Sequence, residues 1–174
     1  MSIKGIDFTS LSLRDALDLA ILIEEEAKER YEEFADQMEA HHTPEAASFF
    51  RFMSRNEEKH RFDLSERRVR LFSDSPRSVT RSMLFDVEAP DYDQARAFMT
   101  PRQALETALH SEEKAQAFFA AALPQVKDPG VKALFEELRE EEVEHQELVK
   151  GELAKLPPDA GVRPDDFADE PVAQ

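Results

Sequence analysis

Two short acidic segments place a glutamate three residues before a histidine: Glu57 and His60 in "NEEKH", and Glu142 and His145 in "EVEH". Residues three positions apart share one face of a helix. Each pair can therefore present a carboxylate and an imidazole to one metal ion. A single pair arises easily by chance in a Glu-rich chain, so the surrounding pattern must decide whether the pairs point inward.

The elements that must position these pairs are helices. Apolar residues recur every three or four positions and only four glycines occur, which predicts an all-α protein. Ser12 is a suitable N-cap for the first helix, and a polar residue followed by proline opens each of the others: Thr43, Thr100 and Asp128. These signals predict helices over 12–41, 44–72, 101–123 and 129–156.

The connections between these helices predict their arrangement. Short links favour antiparallel packing of helix one on helix two and of helix three on helix four. Residues 73–100 are long enough to form a crossover between the two pairs. We therefore predict one four-helix domain over residues 1–156. Residues 157–174 are rich in proline and aspartate and are expected to form a mobile tail.

The two halves of the chain look like a diverged repeat. In each half, a glutamate on the first helix precedes the Glu-x-x-His pair on the second. The matched residues are Glu24, Glu57 and His60 in the first half and Glu112, Glu142 and His145 in the second.

The register of each helix points these glutamates inward. Glu24 falls in the apolar stripe of the first helix, four residues after Ala20 and three before Ala27. The other three glutamates continue the stripes of their own helices in the same way. From Glu24 to the end of its helix is ~25 Å, and from Glu57 back to the start of its helix is ~20 Å. In the second half, Glu112 is roughly 17 Å from the end of its helix and Glu142 is roughly 20 Å from the start of its helix. All six side chains can therefore meet at one height.

Four buried carboxylates require compensating positive charge. The stripes around them contain no Lys or Arg. Two divalent cations would balance the four negative charges if both histidines are neutral. A Glu from each of two helices and a Glu-x-x-His from each of the other two is a carboxylate-bridged dinuclear arrangement that four-helix bundles support.

At these residues the chain resembles the rubrerythrin and ferritin-like superfamily. The resemblance rests on "EEEA", "EEKH", "SEEKA" and "EVEH" and covers about residues 12–155. It implies a ferritin-like bundle that binds two Fe ions (Mn is also possible), and Tyr31 stands where related proteins have a tyrosine that hydrogen-bonds near the site. The implied ligands are Glu57 and Glu142 as bridges, Glu24 and His60 for one metal, and Glu112 and His145 for the other.

Two departures from the family shape the functional hypothesis. The chain has no cysteine, so it has no rubredoxin module and any electron donor must be another molecule. Ala115 stands where rubrerythrins have an additional glutamate. These differences favour oxidation of Fe²⁺ with O₂ or H₂O₂ over a rubrerythrin-like peroxide reductase with an external donor. A manganese catalase-like or hydroxylase site and a non-catalytic metal-binding or interaction bundle are the remaining alternatives.

The composition of the chain limits the binding partners and the cellular location that we expect. The formal net charge of −16 argues against nucleic acid, which is bound by clustered Lys and Arg. No apolar run approaches the ~20 residues of a membrane span, and "MSIKGIDFTS" lacks the apolar stretch of a signal peptide, so we expect a cytoplasmic protein without a membrane partner. Small di-metal bundles often pair through apolar faces, which predicts a homodimer or larger assembly. The segment "SERRVR" is expected to be a basic helix end.

Overall fold

The computed structural model describes residues 7–83 and 100–157. These ranges contain four α-helices and no strand, with helix boundaries within three residues of the predicted ones. The helices are α1 (Leu13–Ala40), α2 (Pro44–Phe72), α3 (Pro101–Ala122) and α4 (Pro129–Leu153), with a short 3-10 helix at Arg81–Met83. The all-α prediction is confirmed, while most of the predicted crossover and nearly all of the predicted tail lie outside the described residues.

The helices pack as two pairs. Helix α1 packs along α2 and α3 packs along α4, while α1 also contacts α4. The links at 41–43 and 123–128 are short, so each pair is an antiparallel hairpin. No helix in the described ranges is both long and apolar enough to cross a bilayer.

Side-chain caps fix the start of three helices. Ser12, Thr100 and Asp128 each accept a hydrogen bond from a backbone N–H of the following turn, as predicted. Thr43 makes no such bond, and its hydroxyl instead donates to the carbonyl oxygen of Met38 at 2.9 Å. Thr43 therefore occupies the N-cap position before Pro44, as predicted, but its hydroxyl closes the α1–α2 turn instead of capping the helix.

Two separate apolar clusters form the core. One includes Ile23 and Leu138, and the other includes Met53 and Val149. On every helix, the cluster members that precede the predicted acidic position belong to one cluster and those that follow it belong to the other. The four glutamates therefore share one polar layer that lies between two apolar layers, at the common height that the helix lengths predict.

A buried ion pair joins α1 to the end of α2. Arg68 is 6% exposed and Asp18 is fully buried. The Arg68 guanidinium donates to both carboxylate oxygens of Asp18, with Nη2 3.3 Å from Oδ2. It also donates to the carbonyl oxygens of Ser73 and Ser75, at 3.3 and 2.7 Å. The expectation that "SERRVR" is simply a basic helix end was wrong for Arg68, which secures the start of the crossover.

Removing the arginine should destabilise the fold strongly. We expect Arg68→Met to lower the free energy of unfolding by about 3 kcal/mol, because the buried Asp18 carboxylate loses its buried partner. It keeps the more exposed Arg77, whose Nε lies 3.7 Å from Oδ1 of Asp18. The melting temperature should fall by roughly 6–12 °C. Thermal unfolding followed by circular dichroism measures this, with Arg70→Met at an exposed position of the same helix as the control. Equal losses in the two variants would contradict the structural role of Arg68.

Candidate metal centre

Each of the four helices contributes one buried glutamate to the polar layer. The exposed fractions are 4% for Glu24, 2% for Glu57, 1% for Glu112 and 4% for Glu142. Since an ionised carboxylate is costly to bury without a partner, this layer needs either protons or cations.

Glu57 lies between the two histidines. Its Oε1 is 3.3 Å from Nδ1 of His145, and its Oε2 is 3.9 Å from Nδ1 of His60. The two imidazole rings are nearly parallel, with centroids 5.2 Å apart and an interplanar angle of 9°. One carboxylate thus presents an oxygen to each of the two histidines.

Glu24 and Glu112 lie one on each side of Glu57. Oε2 of Glu24 is 3.8 Å from Nδ1 of His60, and Oε2 of Glu112 is 3.4 Å from Nδ1 of His145. The Tyr31 hydroxyl donates a hydrogen bond to Oε1 of Glu112. Each histidine therefore has its own glutamate, in the pairing that the family resemblance implies.

Three sets of side chains in the described ranges bring potential ligand atoms within 4.8 Å of one another. All six residues singled out from the sequence occur among them, together with Glu141. The sets are Glu57, His60 and His145; Glu24, His60 and Glu141; and Glu112, Glu142 and His145.

Glu141 was missed by sequence reasoning although a signal for it exists. It follows Leu138 by three residues and precedes His145 by four, so it also satisfies the helical spacing of the stripe. The repeat predicted Glu142 as the ligand instead, because Glu142 matches Glu57. The first half has Asn56 at the position that matches Glu141, so this carboxylate breaks the symmetry of the site.

Burial dominates the electrostatics of the site. It raises the pKa of the Glu24 carboxyl from 4.5 to about 7, despite a hydrogen bond with Glu57, and it raises the pKa of the Glu141 carboxyl. Burial and the neighbouring His145 lower the pKa of His60 to about 4. For His145, burial lowers the pKa, but the carboxylates led by Glu112 outweigh this and raise it.

The donor set fits a pair of divalent metal ions. Nδ1 of His60 and Oε2 of Glu112 are buried and have no hydrogen-bond partner among the described residues, although each faces other ligand atoms at 3.4–3.9 Å. Carboxylate oxygens and imidazole nitrogens suit Fe²⁺ or Mn²⁺. A cation would satisfy these atoms and compensate the buried charge.

Comparison with known proteins identifies the fold family. The rubrerythrin family model matches residues 15–89. The chain is also similar to a solved structure, an uncharacterized conserved protein from Magnetospirillum magnetotacticum MS-1. The two share 31% sequence identity with a TM-score of 0.72, over 85% of this chain and 97% of the other. The chain belongs to the rubrerythrin and ferritin-like superfamily. A search of curated proteins found no match.

Membership in the superfamily explains the arrangement of the polar layer. The ferritin-like bundle predicted from the sequence is confirmed, and a rubrerythrin-type domain with clustered Glu and His indicates a di-iron carboxylate protein. Ala115, the residue at which this chain departs from rubrerythrins, is fully buried. The bundle therefore has a methyl group where the resemblance predicts an additional carboxylate.

Proposed function

We propose that this ferritin-like protein binds two iron ions and oxidises Fe²⁺ with O₂ or H₂O₂. The observation that carries the proposal is the position of Glu57, which presents one carboxylate oxygen to each histidine inside a layer of four buried glutamates. Such a layer is suited to two cations side by side rather than to a single one.

The proposed ligands follow from the pairings in the site. Glu24 and His60 would bind one ion, and Glu112 and His145 would bind the other. Glu57 and Glu142 would serve both. Bound iron would supply the one-electron redox chemistry.

Two ferrous ions supply the number of electrons that this reaction requires. Together they release two electrons, which reduce one O₂ to H₂O₂ or one H₂O₂ to two waters, with two protons taken up in either case. The iron leaves as Fe³⁺ in both reactions. The overall charge of −16 favours the approach of cations over that of anions.

The protein's own groups hold protons and exclude water. The Tyr31 hydroxyl donates to Glu112, so it orients this carboxylate toward His145 and keeps a proton beside the site. The apolar clusters above and below the layer limit the access of water. A drier site strengthens the attraction between the carboxylates and bound cations.

A stopped-flow experiment tests the proposal. Two equivalents of Fe²⁺ per chain are added to the metal-free protein with O₂, or with H₂O₂ under anaerobic conditions, and near-ultraviolet absorbance reports Fe³⁺. We expect oxidation at least tenfold faster than in protein-free buffer. Binding without faster oxidation would instead indicate a non-catalytic metal-binding bundle.

The same apparatus distinguishes the peroxide-reductase alternative. That activity would consume H₂O₂ repeatedly when an external reductant is supplied, without net uptake of iron. Ala115 weighs against this alternative, because the additional glutamate of rubrerythrins is missing. Repeating the assay with Mn²⁺ and H₂O₂ tests for a catalase-like site.

The assembly of the protein stays a prediction. Several large apolar side chains on α2 and α4 are exposed, among them Phe62 at 54% and Val69 at 56%. A homodimer or larger assembly would cover such side chains. The external electron donor and the cytoplasmic location also stay predictions.

A further inference from the structure

The two halves of the site differ in exposure. The His60 side chain is 19% exposed, whereas that of His145 is 5% exposed. Glu141 lies on the more exposed side and is itself half-buried. It can bring a carboxylate oxygen within 4.8 Å of ligand atoms of both Glu24 and His60. The additional carboxylate is therefore at the half of the site that is closest to solvent.

A surface pocket opens directly onto this side. It has a volume of about 440 Å³ and lies between α2 and α4, and both His60 and Glu141 line it. Two of its basic residues already have acidic partners on its wall. Nη1 of Arg67 is 2.9 Å from Oε2 of Glu137, and Nζ of Lys59 is 3.8 Å from Oδ2 of Asp63. These pairs offset much of the positive charge that would otherwise repel a cation.

We propose that the α2–α4 pocket is the route by which metal ions reach the site, and that Glu141 is the capture ligand that passes them to Glu24 and His60. This inference rests on the proposed function, since it assumes that the six-residue centre binds metal. Glu141 is suited to the role because it reaches both the pocket and the first pair of ligands. The matching position in the other half, Asn56, has no charge, so the proposal predicts a single route.

The order of events follows from these positions. An ion that enters the pocket meets the Glu141 carboxylate first. From there it moves to His60, which lines the same pocket, and to Glu24, which is 4% exposed. The second ion takes the same route after the first has advanced toward the side of Glu112 and His145. Glu141 therefore affects the rate of loading more than the final number of ions bound.

Stopped-flow binding of Co²⁺ to the metal-free full-length chain tests this proposal. Co²⁺ is used because its visible absorbance reports binding without oxidation. We expect Glu141→Gln to slow binding about tenfold, as loss of local attraction for a cation predicts, while two ions still bind at saturation. Glu144→Gln, an exposed residue of the same helix, removes the same charge and should change the rate less than about twofold.

A third variant separates reach from charge. Glu141→Asp keeps the negative charge but withdraws the carboxylate by one methylene group. A capture ligand must touch the ion, so this variant should also be slower than wild type. If Glu141→Gln binds as fast as Glu144→Gln, or if Glu141→Asp binds as fast as wild type, the capture role is wrong. Failure of the wild-type protein to bind Co²⁺ at all would instead overturn the proposed function and this inference together.

Discussion

Replacing both Glu57 and Glu142 with glutamine is expected to abolish tight binding of both metal ions. These are the two acids assigned to bridging positions, so each ion loses two charged ligands at once. Substitution of residues that only hydrogen-bond to metal ligands commonly costs about 10–100-fold in metal affinity, and we expect the loss here to exceed about 100-fold. Metal analysis after dialysis against a fixed concentration of free Fe²⁺ or Mn²⁺ measures the effect.

The same variant should be more stable than the wild type when both are free of metal. The substitution removes two carboxylates that are 2% and 4% exposed, and it keeps their shape. An ionised carboxylate is costly to bury without a cation, so the substitution should raise the free energy of unfolding by about 1 kcal/mol or more. Denaturant unfolding of both metal-free proteins measures this difference in the free energy of unfolding.

The control is the pair Glu140→Gln and Glu144→Gln, which removes two exposed charges from α4. It should bind two ions with unchanged affinity. Retention of two ions per chain by the Glu57→Gln/Glu142→Gln protein would refute the ligand assignment. Equal loss of binding in the control would show that overall charge, rather than the buried layer, governs the affinity.

Stabilisation by metal is expected to be large at pH 7.5 and small at pH 5. An ion present at 1,000 times its dissociation constant contributes about 4 kcal/mol, which corresponds to a rise in melting temperature of roughly 8–16 °C. At pH 5 the Glu24 carboxyl, with its pKa raised to about 7, retains its proton. Binding must then displace that proton at a cost on the order of 3 kcal/mol. His60, whose pKa is lowered to about 4, is already neutral and adds no such cost.

The metal-free protein should respond to pH in the opposite sense at Glu24. Because burial raises this pKa above 4.5, the contribution of Glu24 to stability is fully present below pH 4.5 and is lost as the pH rises through about 7. The lowered pKa of His60 acts the other way, since its contribution is present above pH 6.5 and is lost as the pH falls through about 4.

Differential scanning calorimetry at both pH values, with and without Mn²⁺, measures these effects. Glu24→Gln is the matched variant, because it cannot bind the displaced proton. In this variant the metal-induced shift should be small and should depend less on pH. A wild-type shift at pH 5 as large as that at pH 7.5 would show that the Glu24 proton is not linked to metal binding.

Local signals in the sequence were sufficient for the helices and for the inward glutamates. Pro44, Pro101 and Pro129 mark three helix starts, and the apolar spacing around Glu24 and Glu112 determines which acids are buried. These features depend on residues within one or two helical turns. Helix geometry therefore predicts them without knowledge of the partners.

The features that were missed depend on contacts between distant segments. Arg68 lies in a basic run at a helix end, and only the position of Asp18, 50 residues earlier, shows that it is buried. The hydroxyl of Thr43 could have capped α2, but the α1–α2 turn places the Met38 carbonyl within its reach. The spacing of Glu141 also allows it to point inward. The neighbouring Glu142 satisfies the same spacing, so the pattern alone does not show that both residues belong to the site.

The division of the core into two clusters by a polar layer has a consequence for the lifetime of the folded state. Two of the three ligand sets combine residues from both hairpins, whereas the contacts within each hairpin join segments that are close in sequence. The hairpins are therefore expected to form early and the ligand sets late. Bound metal would then slow unfolding and leave the folding rate almost unchanged. The loaded protein should persist in the presence of proteases long after the metal-free form has been cleaved.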